Sequence, residues 1–313
     1  MAARVATLAV GLIALIALIA GCGVAQPAAD GAGTGDGTSG SSGSSGESEG
    51  SSTGPPLDPQ CPDMVLEGDL VVTNPQAAAD LMPTEGLIVV TADQAADLPL
   101  YSRVSGFVSV RDTVGAVDLE FLRCLWRVEG QLSIWMNDDL ESVDGLERLD
   151  HVGGGFRIQD NPKLQSLAAL DSLQFIGGPY SLVDDNDALT ELGLDGLEVV
   201  GGRFEIGQIC APGNPMLTQI GGLQSLVSFD EILIAGNESL MSIDGLEGLE
   251  QRVTGSVLGS DNLPLLSIQQ NESLSIDHLH TVLDPSTEAG AAVVLLHCGN
   301  GGQEPCDCPP TMD

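Results

Sequence analysis

Short runs of alternating apolar and polar residues recur along the chain, each followed by a stretch whose apolar residues fall three apart. The segment GGFRIQDNPKLQSLAALDSL (154–173) shows both halves. In its front half, Phe156 and Ile158 alternate with Arg157 and Gln159, the period of a strand with one buried face. In its back half Leu164, Leu167, Leu170 and Leu173 are spaced by three. On an α-helix such a row drifts around the surface. In a 3₁₀-like or tightly turning segment it stays on one side. The rows Leu140/Val143/Leu146/Leu149, Leu217/Ile220/Leu223/Leu226 and Leu240/Ile243/Leu246/Leu249 repeat the pattern, with glycines 145, 196, 222 and 245 in "GL" pairs that suit turns.

The strand half repeats too. Val104, Val128, Val152, Ile176 and Val200 are each 24 residues apart and open the units VSGFVSVRD, VEGQLSIWMN, VGGGFRIQDN, IGGPYSLVDDN and VGGRFEIGQ. DEILIAGN and GSVLGSDN continue the series at wider gaps. A strand this short, recurring after a return leg of constant length, pairs in parallel with its equivalents in neighbouring units. The alternation puts Val108, Val110, Leu132, Ile134, Phe156, Ile158, Phe204 and Ile206 inside. Ser109, Arg111, Ser133, Trp135, Arg157, Gln159, Ser181, Val183 and Glu205 then point outward, with Arg203 beside them. Asn137, Asn161, Asn237 and Asn262 each follow a strand, where an amide can serve its own turn or form a ladder between coils. One unit cannot bury its own apolar face, but a stack can. The expected fold is therefore mainly β: a right-handed parallel β-solenoid of about eight coils with 3₁₀ or turn-like return legs, a rod about 35–40 Å long. CPDMVLEGDLVVTN suits an N-terminal capping coil. SLSIDHLHTVLDP suits a helix and AAVVLLHC a last strand. The expected boundaries are 61–270 for the solenoid and 271–313 for a C-terminal cap.

VLEGDLVV, YSRVSGFVSV, DLEFLRCLWRVEGQLSI and SIDGLEGL together resemble the receptor L domain, a leucine-rich-repeat-like parallel β-helix, over about residues 61–270. The resemblance implies a surface-recognition scaffold. The segment from Pro75 to Leu98 and the insertion at Cys210 depart from it, and no cysteine-rich receptor module or kinase accompanies it, so hormone binding does not carry over.

The ends add location. Arg4, an uncharged run from Val5 to Gly21, and Cys22 form an export signal at 1–21. Ile19-Ala20-Gly21-Cys22 resembles the lipobox of bacterial lipoproteins, which implies acylation of Cys22. The expected location is the bacterial cell envelope, at the outer membrane or cell surface, anchored in the lipid. Residues 22–60, rich in Gly and Ser, read as a flexible tether spanning roughly 35 Å. In an exported chain Cys61, Cys124, Cys210, Cys298, Cys306 and Cys308 point to disulfides. Cys61 with Cys124, and a knot among the last three, are the pairings expected.

Composition narrows the function. With 45 acidic residues against 10 basic, for a net charge of −35, nucleic acid is excluded as a partner. No motif carries a reaction, and no catalytic residue, metal site or cofactor is expected. The two rings of His278 and His280 read as a helix-borne pair. The acidic turns NDDLES and DDNDAL lack the register of calcium-binding rolls. A polysaccharide-active β-helix enzyme is the alternative; it requires a cleft with converging carboxylates. A purely structural envelope protein is another. The candidate ligand-binding residues are Arg111, Trp135, Arg157, Gln159, Arg203 and Glu205 on the outward side of the strands, where Trp and Arg are common interface anchors. They imply a protein or glycan partner at the cell surface.

Overall fold

The computed structural model describes residues 60–81, 86–249, 265–283 and 294–301. The chain is a parallel β-solenoid, and every strand pairing among the described residues is parallel. Two ladders share the coils. The short one runs β1 (Val65–Leu66), β4 (Arg103–Val104), β6 (Arg127–Val128), β8 (His151–Val152), β10 (Phe175–Ile176) and the start of β12 (Val199–Gly207). The long one runs β3 (Leu87–Thr91), β2 (Asp69–Thr73), β5 (Val108–Arg111), β7 (Leu132–Trp135), β9 (Phe156–Gln159), β11 (Tyr180–Asp184), β12, β13 (Ser228–Ala235), β14 (Leu265–Gln269) and β15 (Val294–Cys298). Single bridges Ser166–Glu191–Gln219–Ser242 mark a third side.

Between the two ladders each coil turns through glycine because neighbouring backbones come close there. A Cβ on Gly154 would sit 2.7 Å from the backbone of Gly130, closer than side chains pack. The three-residue leucine spacing is a hydrogen-bond pattern. Leu146 N–H bonds Val143 O, Leu149 N–H bonds Leu146 O, and Leu170 and Leu173 repeat the i→i−3 step from Leu167 and Leu170. Glu120–Leu122, Ala168–Leu170 and Asp244–Leu246 are 3₁₀ turns. Each step therefore drops one aliphatic side chain inward, and the leucine rows and the inward strand residues are 0–1% exposed. Fully burying one such side chain contributes about 2 kcal/mol.

Asparagines bind the coils together. Asn137, Asn161, Asn186, Asn214, Asn237, Asn271 and Asn300 stack one per coil, all buried. Each Nδ2 from Asn137 to Asn271 donates to the Oδ1 of the next. All seven also donate to a carbonyl of the preceding coil, such as Ile134 O for Asn161 and Ile158 O for Asn186. The ladder begins at Thr113, whose hydroxyl donates to Asn137 Oδ1 at 2.8 Å. The expected Asn262 lies outside the described residues. The GSVLGSDN unit lies there too; among the described residues the rung after β13 is β14, followed by Asn271.

The segment that departs from the receptor pattern builds the N-terminal edge. Helix α1 (Pro75–Asp80), capped by Asn74, leads to β3, which among the described residues pairs only with β2. Helix α2 (Ala92–Ala95) follows, with a capping box of Thr91 and Gln94. Cys61 and Cys124 form a disulfide that ties the first coil to a later one. Cys210 and Cys298 are also disulfide-bonded, so Cys210 joins the bonded set. Cys306 and Cys308 lie outside the described residues, as do 1–21 and the tether up to 59. Helix α3 (Ile276–Val282) and β15 form where expected. The sheet and the asparagine ladder run on through β15 to Asn300, past residue 270.

Candidate functional site on the outward sheet face

Three strands carry the site. β5, β7 and β9 are in register, with Arg111 opposite Trp135 and Trp135 opposite Gln159; Arg157 stands opposite Ser133. Inward residues of the same strands are sealed in the core, which fixes the alternate side chains outward. The guanidinium of Arg111 lies 5.9 Å from the centre of the Trp135 ring, and that of Arg157 lies 4.7 Å from it. One indole is thus held between cations from the two strands that flank it, each within cation–π range. Arg157 Nε donates to Gln159 Oε1 at 2.9 Å, which fixes the guanidinium against the ring. Gln159 Nε2 reaches Asp185 Oδ2 at 3.5 Å. Burial pushes the Arg157 pKa down from its ordinary value, yet an arginine stays charged.

Arg203 and Glu205 form a separate cluster. Arg203 Nε is 2.6 Å from Glu205 Oε1 and 3.6 Å from Glu231 Oε1. The Tyr180 hydroxyl donates to Glu205 Oε2 at 2.8 Å, and the Tyr180 pKa is pushed up to about 12, first by burial and then by that bond. Glu205 is buried with both oxygens engaged. The structure therefore unites four of the six expected residues and pairs the other two with each other.

The outward row has one further departure. In β11 it is Tyr180, Leu182 and Asp184 that stand opposite outward residues, while Ser181 and Val183 are buried opposite Phe204 and Ile206. This unit has ten steps from Ile176 to Asn186, where its neighbours have nine from Val128 to Asn137 and from Val152 to Asn161. One added residue before the strand reverses both faces. Ser181 then fills a core position, where Phe156 and Phe204 meet edge to face at 6.5 Å.

The short ladder carries a second outward row. Arg103, Arg127, His151 and Phe175 stack in register. Glu129 Oε1 accepts from Arg127 Nε at 2.7 Å and from Arg103 Nη2 at 3.3 Å; Arg127 first, then Arg103, hold that carboxyl below its usual range. His151 lies flat on Phe175 at 4.5 Å, and Arg103 sits over Trp126. Burial, then Arg127, lower the His151 pKa. The signal was the residue preceding each repeat valine, which recurs with the same 24-residue spacing.

On the return side a cleft of about 470 Å³ is lined by Val117, Asp118, Glu141, Ser142, Asp144 and Ser166, among others, with no Lys, Arg or His in its lining. Among the described residues no three His, Cys, Asp or Glu side chains are grouped to hold a metal ion. In NDDLES, Asp139 is taken up by Lys163 Nζ at 2.8 Å and by Gly115 N–H. His278 Nε2 accepts from Ile243 N–H. No helix among the described residues is long and apolar enough to cross a membrane.

No protein-family model, curated protein or solved structure matches this chain. Its function is read from its own geometry.

Proposed function

We propose that the chain is a cell-surface lipoprotein whose receptor-L-like solenoid is a non-catalytic recognition or adhesion module for a protein or glycan partner. One observation carries the reading: Arg111 and Arg157 converge on Trp135 on the outward sheet face, and neither forms an ion pair among the described residues of a chain with 45 acidic residues. Four other described cations are matched with carboxylates, Arg103 and Arg127 with Glu129, Lys163 with Asp139, and Arg203 with Glu205, while Arg123 donates to the Glu120 carbonyl. Two guanidiniums fixed on an indole are ordered before a ligand arrives, which lowers the entropy cost of binding.

Affinity capture with the full-length chain against envelope proteins and glycans tests the reading. The double variant Trp135→Ala/Arg157→Ala should lose at least tenfold in affinity for the captured partner, as truncation of central anchors does. An unchanged affinity overturns the assignment. For the anchor, the chain should incorporate labelled fatty acid and Cys22→Ser should abolish that incorporation, because its thiol is the attachment point of the acyl chains. Undiminished labelling of the variant argues against lipidation at Cys22.

A further inference from the structure

The same face says what kind of partner suits it, and this step rests on the recognition reading above. Guanidiniums from both flanking strands lie over the Trp135 ring. A sugar recognised by aromatic stacking needs an open ring face, so Trp135 is poorly placed to be a sugar platform. Just past the end of β7, Met136 is 42% exposed and sits at φ 58. The equivalent position in neighbouring coils is Asp112, Asp160 or Asp185, also at positive φ. An aspartate tolerates this left-handed conformation, whereas an unbranched apolar side chain enters it rarely, and such outliers concentrate where function holds them. Trp, Met and Arg side by side are the residue types enriched at protein–protein interfaces.

Charge sharpens the choice. Beyond the ends of these strands Asp138, Asp160, Asp185 and Asp187 are all exposed. Partial burial, and after it repulsion from Asp185, Asp138 and Asp187, raises the Asp160 pKa. The face thus offers a cationic row on the sheet and an anionic rim beside it. Arg157 lies on β9 and Asp160 one residue past its end at φ 56, so the two are three residues apart with at most about 10 Å of chain between them. A polyanionic polysaccharide satisfies the first row and is repelled by the second. A neutral one can hydrogen-bond to both rows but neutralises neither charge. A peptide can carry both.

We infer that the partner is a protein segment of mixed charge, which places a carboxylate on the Arg111–Trp135–Arg157 cluster, a basic side chain on the Asp138/Asp160/Asp185 rim, and an apolar group against Met136. In an extended segment the two charges stand about three residues apart.

The full-length chain with Trp126→Phe, leaving Trp135 as its indole reporter, is screened against a bead library of random 12-residue peptides. Polygalacturonate and dextran serve as polysaccharide probes. Peptides that bind and change Trp135 emission should carry both an acidic and a basic residue. Replacing their acidic residue by its amide, or making Arg111→Gln/Arg157→Gln in the protein, should weaken binding about tenfold or more. Asp160→Asn/Asp185→Asn should weaken binding in proportion to the peptide's basic residue. A cooperative thermal melt checks that each variant is folded. Peptides that are only basic and indifferent to the arginine variants would show that net charge alone selects them, and would overturn the inference. Arginine-dependent binding of polygalacturonate or dextran above every peptide also overturns it, while leaving the recognition reading intact. Absence of arginine-dependent binding to any of the three probes counts against both.

Discussion

Asp184 is a buried acid in an unusual position. It is the last residue of β11, on the outward column beside Gln159, 0% exposed, and neither carboxylate oxygen has a hydrogen-bond partner. Burial, then the neighbouring charge of Asp185, raises its pKa from 3.8 to about 7. The folded state therefore holds the proton more tightly than the unfolded chain does. Well below pH 3.8 both states are protonated and the residue costs no ionisation energy. As pH rises from about 4 to about 7 the unfolded chain releases the proton first, and stability falls. Above about 7 the full penalty stands. At 1.36 kcal/mol per pH unit the interval from 3.8 to about 7 corresponds to at most about 4 kcal/mol. Asp184→Asn keeps the shape and removes the ionisation. Denaturant unfolding of both proteins, with disulfides intact, should give similar stabilities at pH 4 and a more stable variant at pH 8, by up to about 4 kcal/mol. The other acids titrate alike in both proteins, so the difference between the two pH values isolates this one. An equal difference at pH 4 and pH 8, or no gain at pH 8, would refute the argument.

Two other substitutions probe the core. Asn186→Ala removes amide bonds to Ile158 O, Asp184 O and Asn214 Oδ1, along with the acceptor for Asn161; with buried groups left unpaired on both neighbouring coils, equilibrium denaturation should show a loss of about 3–5 kcal/mol, and a loss under 1 kcal/mol would show that the ladder is dispensable. Ser181→Leu forces a larger side chain beneath Phe156 and Phe204 and removes the hydroxyl that accepts from Phe156 N–H at 3.1 Å. It should cost about 2–4 kcal/mol, against about 1 kcal/mol for Ser181→Ala, and an equal effect of the two would argue against a tightly packed site.

What was legible in the chain was whatever repeats at constant length. The valines spaced by 24, the inward pairs such as Phe156 and Ile158, and the three-residue leucine rows all translate directly into the solenoid, because each coil must place the same atoms in the same position. Irregular lengths defeated the reading. One additional residue before β11 turned Ser181 and Val183 inward. The insertion around Cys210 and the long connection after β13 hid Asn214 and Asn271, whose ladder contacts depend on coil position rather than on sequence spacing. In the candidate site, Arg111, Trp135, Arg157 and Gln159 follow from alternation alone. That Arg203 and Glu205 satisfy each other follows from their i, i+2 placement on one face, a pairing that alternation implies but does not weigh against binding. The burial of Asp184 is not explained by its register either, since the structure places it beside Gln159 in an outward column.

The fold separates stability from recognition. Its stability resides in residues facing inward or stacked on the axis of the asparagine ladder, where each coil satisfies the next and a change propagates to its neighbours. Arg111, Trp135 and Arg157 lie outside that set, so they can be replaced without opening the core. In a chain with 45 acidic residues against 10 basic ones carboxylates are in excess, and four described cations pair with them. That Arg111 and Arg157 instead share one indole means the solenoid spends no carboxylate of its own on them. Variants of the ladder should therefore lower the melting temperature in step with binding, through the folded fraction alone. Variants of the arginine pair should change binding at constant melting temperature. Coupled losses from both sets would mean that the face is part of the scaffold and not a site carried upon it.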